Sequence, residues 1–131
     1  RQRQMCIRDR DYIVVSAVFR FQKGDTDTIK ALIKELAVKR RAKQPLEYPS
    51  AGSTFKRPQG FFAAKLIEDA GLKGVSVGGA MVSEKHSGFV VNTGNATAKD
   101  VCMLTDMVKD KVKQQSGVDL ELEVIKLGDF S

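Results

Sequence analysis

All three prolines of this 131-residue chain, Pro45, Pro49 and Pro58, fall in one stretch, "KQPLEYPSAGSTFKRP", and no other feature constrains the fold as much. Proline fixes its own φ, has no N–H to give and pushes the residue before it towards extended geometry. Regular structure is interrupted there, and the stretch reads as a crossing between the segment before Pro45 and the segment after Pro58. The break at Pro45 to Pro49 is where a domain boundary is expected, with residues 11–46 on one side and 47–131 on the other. Inside the crossing a hydroxyl sits on a glycine, Gly52-Ser53, and two cations, Lys56 and Arg57, come after it.

Upstream, "DYIVVSAVFRF" (residues 11–21) carries Ile13, Val15, Ala17, Phe19 and Phe21 on one face, which predicts a strand with that face towards a core. Asp25 is placed as the N-cap of the next element, a helix. Ile29, Leu32, Ile33, Leu36 and Ala37 recur there at the spacing of a core-facing stripe, and Lys39, Arg40, Arg41 and Lys43 gather at the C-terminal end, where cations oppose the helix dipole.

Downstream, a second helix is expected from about Phe61 to Ala70, closed by Gly71. Short strand-like runs come next at 75–77 and 88–91, separated by "GGAMVSEKHS". Thr97 with Asp100 opens a third helix as an approximate capping box; Val101, Leu104, Val108 and Val112 line its inner face and Gly117 ends it. "LELEVIKL" predicts a last strand with Leu120, Leu122 and Val124 on one side, Glu121 and Glu123 on the other. This order predicts an α+β fold, a small and mainly antiparallel sheet with flanking helices.

Composition narrows the function. The chain is 42% hydrophobic and 29% charged, as globular proteins are. No run is long enough for a transmembrane helix, and no secretory signal is visible, so a cytoplasmic protein with no membrane partner is expected. The formal charge of +6 argues little for nucleic acid, because residues 1–10, "RQRQMCIRDR", hold four Arg against one Asp and account for half of it. That decapeptide resembles translated sequencing-adapter sequence and is set aside as a non-native leader, with a native basic arm as the alternative. Cys6, Cys102 and His86 do not make a metal site; Cys102 reads as a reduced, packed thiol.

On the residues alone the chemistry stays open. Gly52 allows a bend that presents Ser53, yet the G-x-S-x-G pattern is missing and His86 stands at no spacing that supports a triad, so a turn or cap role is the simpler reading. Lys43, Lys56 and Arg57 flank the crossing, where they converge on phosphate or carboxylate or else are solvated surface cations. Gly78-Gly79 allows a flexible turn or a close approach to ligand. Glu121 and Glu123 face solvent or, if their strand docks beside another domain, act as an acid or polariser.

Taken together, "KQPLEYPSAGSTFKRP", "AAKLIEDAGLKGVSVGGAMVSEKHSGFVVN", "GNATAKDV" and "LELEV", in that order and spacing, resemble the C-terminal part of the UDP-N-acetylenolpyruvoylglucosamine reductase family, flavoenzymes of bacterial peptidoglycan precursor synthesis. The resemblance runs from about Asp11 to Gly128. It implies an oxidoreductase using NADPH and FAD, in which flavin N5 delivers hydride to the vinyl C3 of the enolpyruvyl group and C2 then takes a proton. By this resemblance Ser53 is the general acid, made competent by alignment with C2 and by nearby cations. Glu123 is the carboxylate that polarises the substrate's carboxyl end, with Leu122 standing where the family has proline. Lys43 matches a lysine that contacts the nucleotide diphosphate, and Lys56 and Arg57 join it as substrate-binding residues, although Arg57 stands where longer members carry Asn.

The link "QKGDTD" is short where longer members insert a Tyr-bearing loop, so the chain resembles the shorter type. The resemblance further implies that residues 11–46 are a strand-helix remnant of the flavin-binding domain and that 47–131 form the substrate domain. FAD and NADPH would be held mainly by a region preceding Asp11. The partner implied is a UDP-sugar, with no nucleic acid and with a monomeric full-length enzyme. The rival is a stand-alone basic phosphate- or nucleic-acid-binding module, for which the cations lack an aromatic stacking platform.

Overall fold

A computed structural model describes residues 15–128, which fall into two compact units, one ending at Ile33 and the other beginning at Lys34. In chain order the elements are α1 (Thr26–Lys43), β1 (Ser50–Ser53), α2 (Ala63–Asp69), β2 (Ser76–Val77), β3 (Ala80–Val82), β4 (Phe89–Asn92) and α3 (Ala98–Ser116). No helix among the described residues is long and apolar enough to cross a membrane.

In the first unit, the expected strand over 11–21 is not formed across residues 15–21, and residues 11–14 lie outside the described residues. Val15, Val18, Phe19 and Phe21 are all exposed. Phe19 and Phe21 stack with ring centroids 6.0 Å apart, as residues two apart do on an extended chain. Alternation selects an extended backbone, but a strand also needs a neighbour to complete its hydrogen bonds, and no described residue supplies one. Asp25 does cap α1: its carboxylate accepts from the Thr28 N–H at 2.8 Å and the Thr28 hydroxyl at 2.7 Å. The apolar stripe of α1 differs from expectation too, since no residue of the helix is buried. Period 3.6 marks a face that can be covered; it does not supply the cover.

The second unit holds the predicted α+β core. Its sheet is antiparallel throughout, in the order β1-β4-β3-β2. The central strand β4 is buried at Phe89, Val90 and Val91, while β1 and β2 are the edges. Helix α3 packs on β2 and β3, and α2 packs on α3. Ile67, Leu104, Val82, Val108 and Val112 are sealed between them. Leu104, Val108 and Val112 bury as their spacing predicts. The capping box is complete: Asp100 N–H donates to Thr97 Oγ1 at 3.1 Å and Thr97 N–H to Asp100 Oδ2 at 2.9 Å. Gly117 closes the helix in the left-handed region at φ 71.

Three parts of the sheet differ from the sequence pattern. Residues 50–53, read as loop, form edge strand β1, and "AMV" within the expected separator forms β3. The last strand is reduced to a single bridge, Phe55 opposite Leu122. Leu120 is buried and Leu122 packs against the core, but Ile125 and Leu127 are exposed, so the alternation ends early.

Gly78-Gly79 turns β2 into β3 against the start of α3. Thr93 binds the Gly79 carbonyl through both N–H (2.9 Å) and hydroxyl (3.0 Å). A Cβ on Gly79 would lie 2.3 Å from the Ala96 backbone nitrogen, which cannot move aside as a side chain can. The glycines thus serve close backbone packing. Gly79→Ala should destabilise the chain by about 2 kcal/mol or more through overpacking. Gly94→Ala, where nothing lies within 4 Å of the added methyl, should stay within about 0.5 kcal/mol of the parent. Urea unfolding of both variants checks the contrast.

Candidate functional site

The prolines mark turns at the two ends of an edge strand. Tyr48 N–H donates to the Pro45 carbonyl at 3.2 Å and Phe61 N–H to the Pro58 carbonyl at 3.2 Å, while the Pro49 carbonyl accepts from Asn92 N–H at 2.9 Å. Between those turns β1 pairs with β4 at Ser50–Val91 and Ser53–Phe89, so β1 spends one more residue than β4 over the same span. That is a β-bulge, and Gly52 stands in it at φ 84, a conformation glycine adopts without steric cost. The bend ahead of Ser53 is therefore real, and Ser53 is exposed on it.

Thr54, one residue on, is buried to 2% exposure. Its N–H donates to the Gly88 carbonyl at 2.9 Å, and its Oγ1 accepts from Val90 N–H at 3.0 Å. On its other side the Thr54 carbonyl accepts from Glu123 N–H at 2.9 Å, and Lys56 N–H donates to the Glu121 carbonyl at 2.8 Å. Residues 54–56 thus lie between β4 and the segment 121–123. The Glu123 backbone is thus bonded to Thr54, the residue that follows Ser53 in the chain. Glu123 is half-buried there, whereas Glu121 is exposed.

The β3–β4 connection that supplies Gly88 is itself fixed. Ser83 Oγ accepts from the N–H groups of Lys85 and His86 at 3.2 Å each, and the buried Ser87 hydroxyl donates to the Ala64 carbonyl at 2.6 Å. Lys85 reaches back from this turn to Glu47, Nζ to Oε1 at 2.7 Å, and to the Arg41 carbonyl at 3.4 Å. It ties the end of α1 and the Pro45–Pro49 segment to the sheet. Neither Thr54 nor Lys85 stood out in sequence, where one is a small residue between a serine and a phenylalanine and the other one lysine among many.

The cations do not converge on Ser53. Lys56 pairs with Glu121 at 3.0 Å. Arg57 donates to the Phe61 carbonyl at 3.3 Å and lays its guanidinium over the Phe62 ring, 4.0 Å from the centroid. Lys43 is exposed at the last turn of α1. A cavity of about 640 Å³ lies on the Thr54 side, lined by Ser50, Ala51, Thr54, Val101, Cys102 and Leu122 among others, with neither Ser53 nor Glu123 in its wall.

The profile of the family described as UDP-N-acetylenolpyruvoylglucosamine reductase, C-terminal domain, matches residues 44–127. The chain is 59% identical over 127 residues to the UDP-N-acetylenolpyruvoylglucosamine reductase of Lachnoclostridium phytofermentans, and 54% identical over 127 residues to that of Clostridium tetani. Each match takes in 97% of this chain and 41% of the relative, so the chain spans about two fifths of their length. The crystal structure of UDP-N-acetylenolpyruvylglucosamine reductase from Thermus caldophilus superposes with a TM-score of 0.61 at 37% identity, over 78% of this chain and 35% of that one.

The Lys85–Glu47 tie has a pH signature. The hydrogen bond from Lys85 holds the Glu47 carboxyl below its ordinary value of 4.5. A folded-state pKa that is depressed contributes stability above the ordinary value and loses it as pH falls through the folded one. Lys85→Met should therefore flatten part of the fall in Tm below about pH 4.5 and leave the neutral-pH slope unchanged. Thermal scans of both proteins across the acid range read this directly.

Proposed function

The chain belongs to the UDP-N-acetylenolpyruvoylglucosamine reductase family, and from that premise we propose that it forms the substrate-side part of an NADPH- and FAD-dependent enzyme that reduces UDP-N-acetylglucosamine enolpyruvate to UDP-N-acetylmuramate. The observation that supports this proposal is the backbone hydrogen bond of Glu123 to Thr54, the residue next to Ser53. Ser53 and Glu123 are the two residues that the family motifs mark as general acid and carboxylate, and they are 70 positions apart in sequence. The rival reading, a basic nucleic-acid-binding module, gains no support from the matches.

Flavin and NADPH binding belong, on this proposal, mainly to the part of the enzyme that precedes Asp11. FAD's diphosphate calls for a cradle of backbone N–H groups or cations. The cavity on the Thr54 side does not fit it, because Lys126 is the only cation in a wall of mostly apolar groups.

What this chain's residues contribute is the proton and the orientation. Ser53 Oγ–H gives its proton to C2 of the enolpyruvyl group as the double bond is reduced; the O–H bond breaks, a C–H bond forms, and the serine oxygen recovers a proton from solvent. The exposed edge position leaves the hydroxyl accessible to a substrate laid across β1. The Thr54 bonds hold its backbone, so little orientational freedom is lost at the moment of transfer. Glu123 polarises the carboxyl end of the same group. Lys43, Lys56 and Arg57 take the diphosphate and sugar, with Lys56 and Arg57 first releasing Glu121 and the Phe62 ring.

In the full-length enzyme, Ser53→Ala should leave flavin reduction by NADPH within about twofold of the parent and slow flavin reoxidation by substrate about a hundredfold, the usual contribution of a general acid. Stopped-flow absorbance separates these half-reactions, and equal slowing of both would show the bulge to be structural only. Glu123→Gln should likewise impair the substrate half-reaction. Glu121→Gln, which breaks only an exposed ion pair with Lys56, should change it far less.

A further inference from the structure

Resting on the reductase function proposed above, we infer that the Thr54 hydroxyl is a positioning group for Ser53, holding the general acid to the central strand of the sheet. The bulge creates the need for it. Where β1 carries one residue more than β4, the strand is free to shift locally, and Ser53 comes directly after Gly52, the residue with the fewest steric limits. Val90 lies on β4 opposite that bulge, and its N–H donates to Thr54 Oγ1 at 3.0 Å. With the Thr54 N–H on the Gly88 carbonyl at 2.9 Å, one residue is held at two points, just before β4 and within it, on either side of Phe89, which pairs with Ser53.

Burial makes the second of these bonds consequential. Thr54 is 2% exposed and Val90 6%, so water does not readily replace the hydroxyl when it is removed. The Thr54 carbonyl, by contrast, holds Glu123 through the backbone and does not depend on the side chain. The hydroxyl therefore bears on Ser53 while the Glu123 link persists without it. A proton transfer is sensitive to such displacements because the O–H must point at the accepting carbon.

Thr54→Val preserves shape and removes the acceptor; Thr54→Ser keeps the acceptor and removes a methyl. In the full-length enzyme, Thr54→Val should slow flavin reoxidation by substrate roughly tenfold or more. Flavin reduction by NADPH should stay within about twofold, and Thr54→Ser should restore most of the substrate half-reaction. Because the hydroxyl acts through Ser53, adding Thr54→Val to Ser53→Ala should cost less than about a further twofold, since coupled residues are non-additive. A merely structural role predicts full additivity instead. Equal slowing of both half-reactions, failure of Thr54→Ser to restore, or an additive double variant would each overturn the inference. Ser53→Ala alone tells this failure from that of the function: if it spares the substrate half-reaction, the general-acid assignment fails first.

Discussion

The placing of Glu123 next to the Ser53 segment depends on the meeting of residues 54–56 with residues 121–123. Two backbone hydrogen bonds, the bridge of Phe55 with Leu122 and the exposed Lys56–Glu121 ion pair make the contact. A hydrogen bond contributes a net of about 1 kcal/mol, and closing a long loop costs several, so the bonds alone do not hold the ends together. The apolar side chains do. Phe55 and Leu120 are nearly sealed in the same cluster as Ile67, Leu104 and Val108, with Leu122 packed against it. The hydrogen bonds then choose a register for a contact that hydrophobic burial has already made favourable. The core thus sets the register in which the Glu123 backbone meets Thr54, although the two are 69 positions apart.

The parts of the fold that were legible in sequence are those whose determinants are local. Helix α3 has its cap, its stripe and its closing glycine in consecutive positions, and all three act as their types dictate. The same holds for Asp25 at the start of α1 and for the edge of α2, where Gly71 adopts φ 68. Non-local determinants were not legible. Strand β1 exists because β4 needs a neighbour on that side, and no property of "SAGS" announces it. Residues 15–21 show the converse, a good strand pattern with no partner among the described residues. Ser53 and Glu123 were picked out by motif resemblance alone, whereas Thr54 and Lys85 make contacts 34 to 69 and 38 to 44 positions away and carry no signature a single sequence displays.

The cations are the sharpest difference between pattern and structure, and the energies involved reconcile the two. Sequence set Lys56 and Arg57 beside Ser53, yet Lys56 holds Glu121 and Arg57 rests on Phe62. Lys56 and Glu121 have side chains 51% and 74% exposed, and a pair so exposed is worth at most about 1 kcal/mol. An exposed cation–π contact is worth about 0.5–1 kcal/mol. A diphosphate offers each cation a charge-assisted hydrogen bond to a doubly charged partner, which exceeds either of these resting contacts. The pairings are therefore weak holding positions. On the proposed function, an anionic substrate would draw both side chains from these contacts at a cost small against the binding it permits.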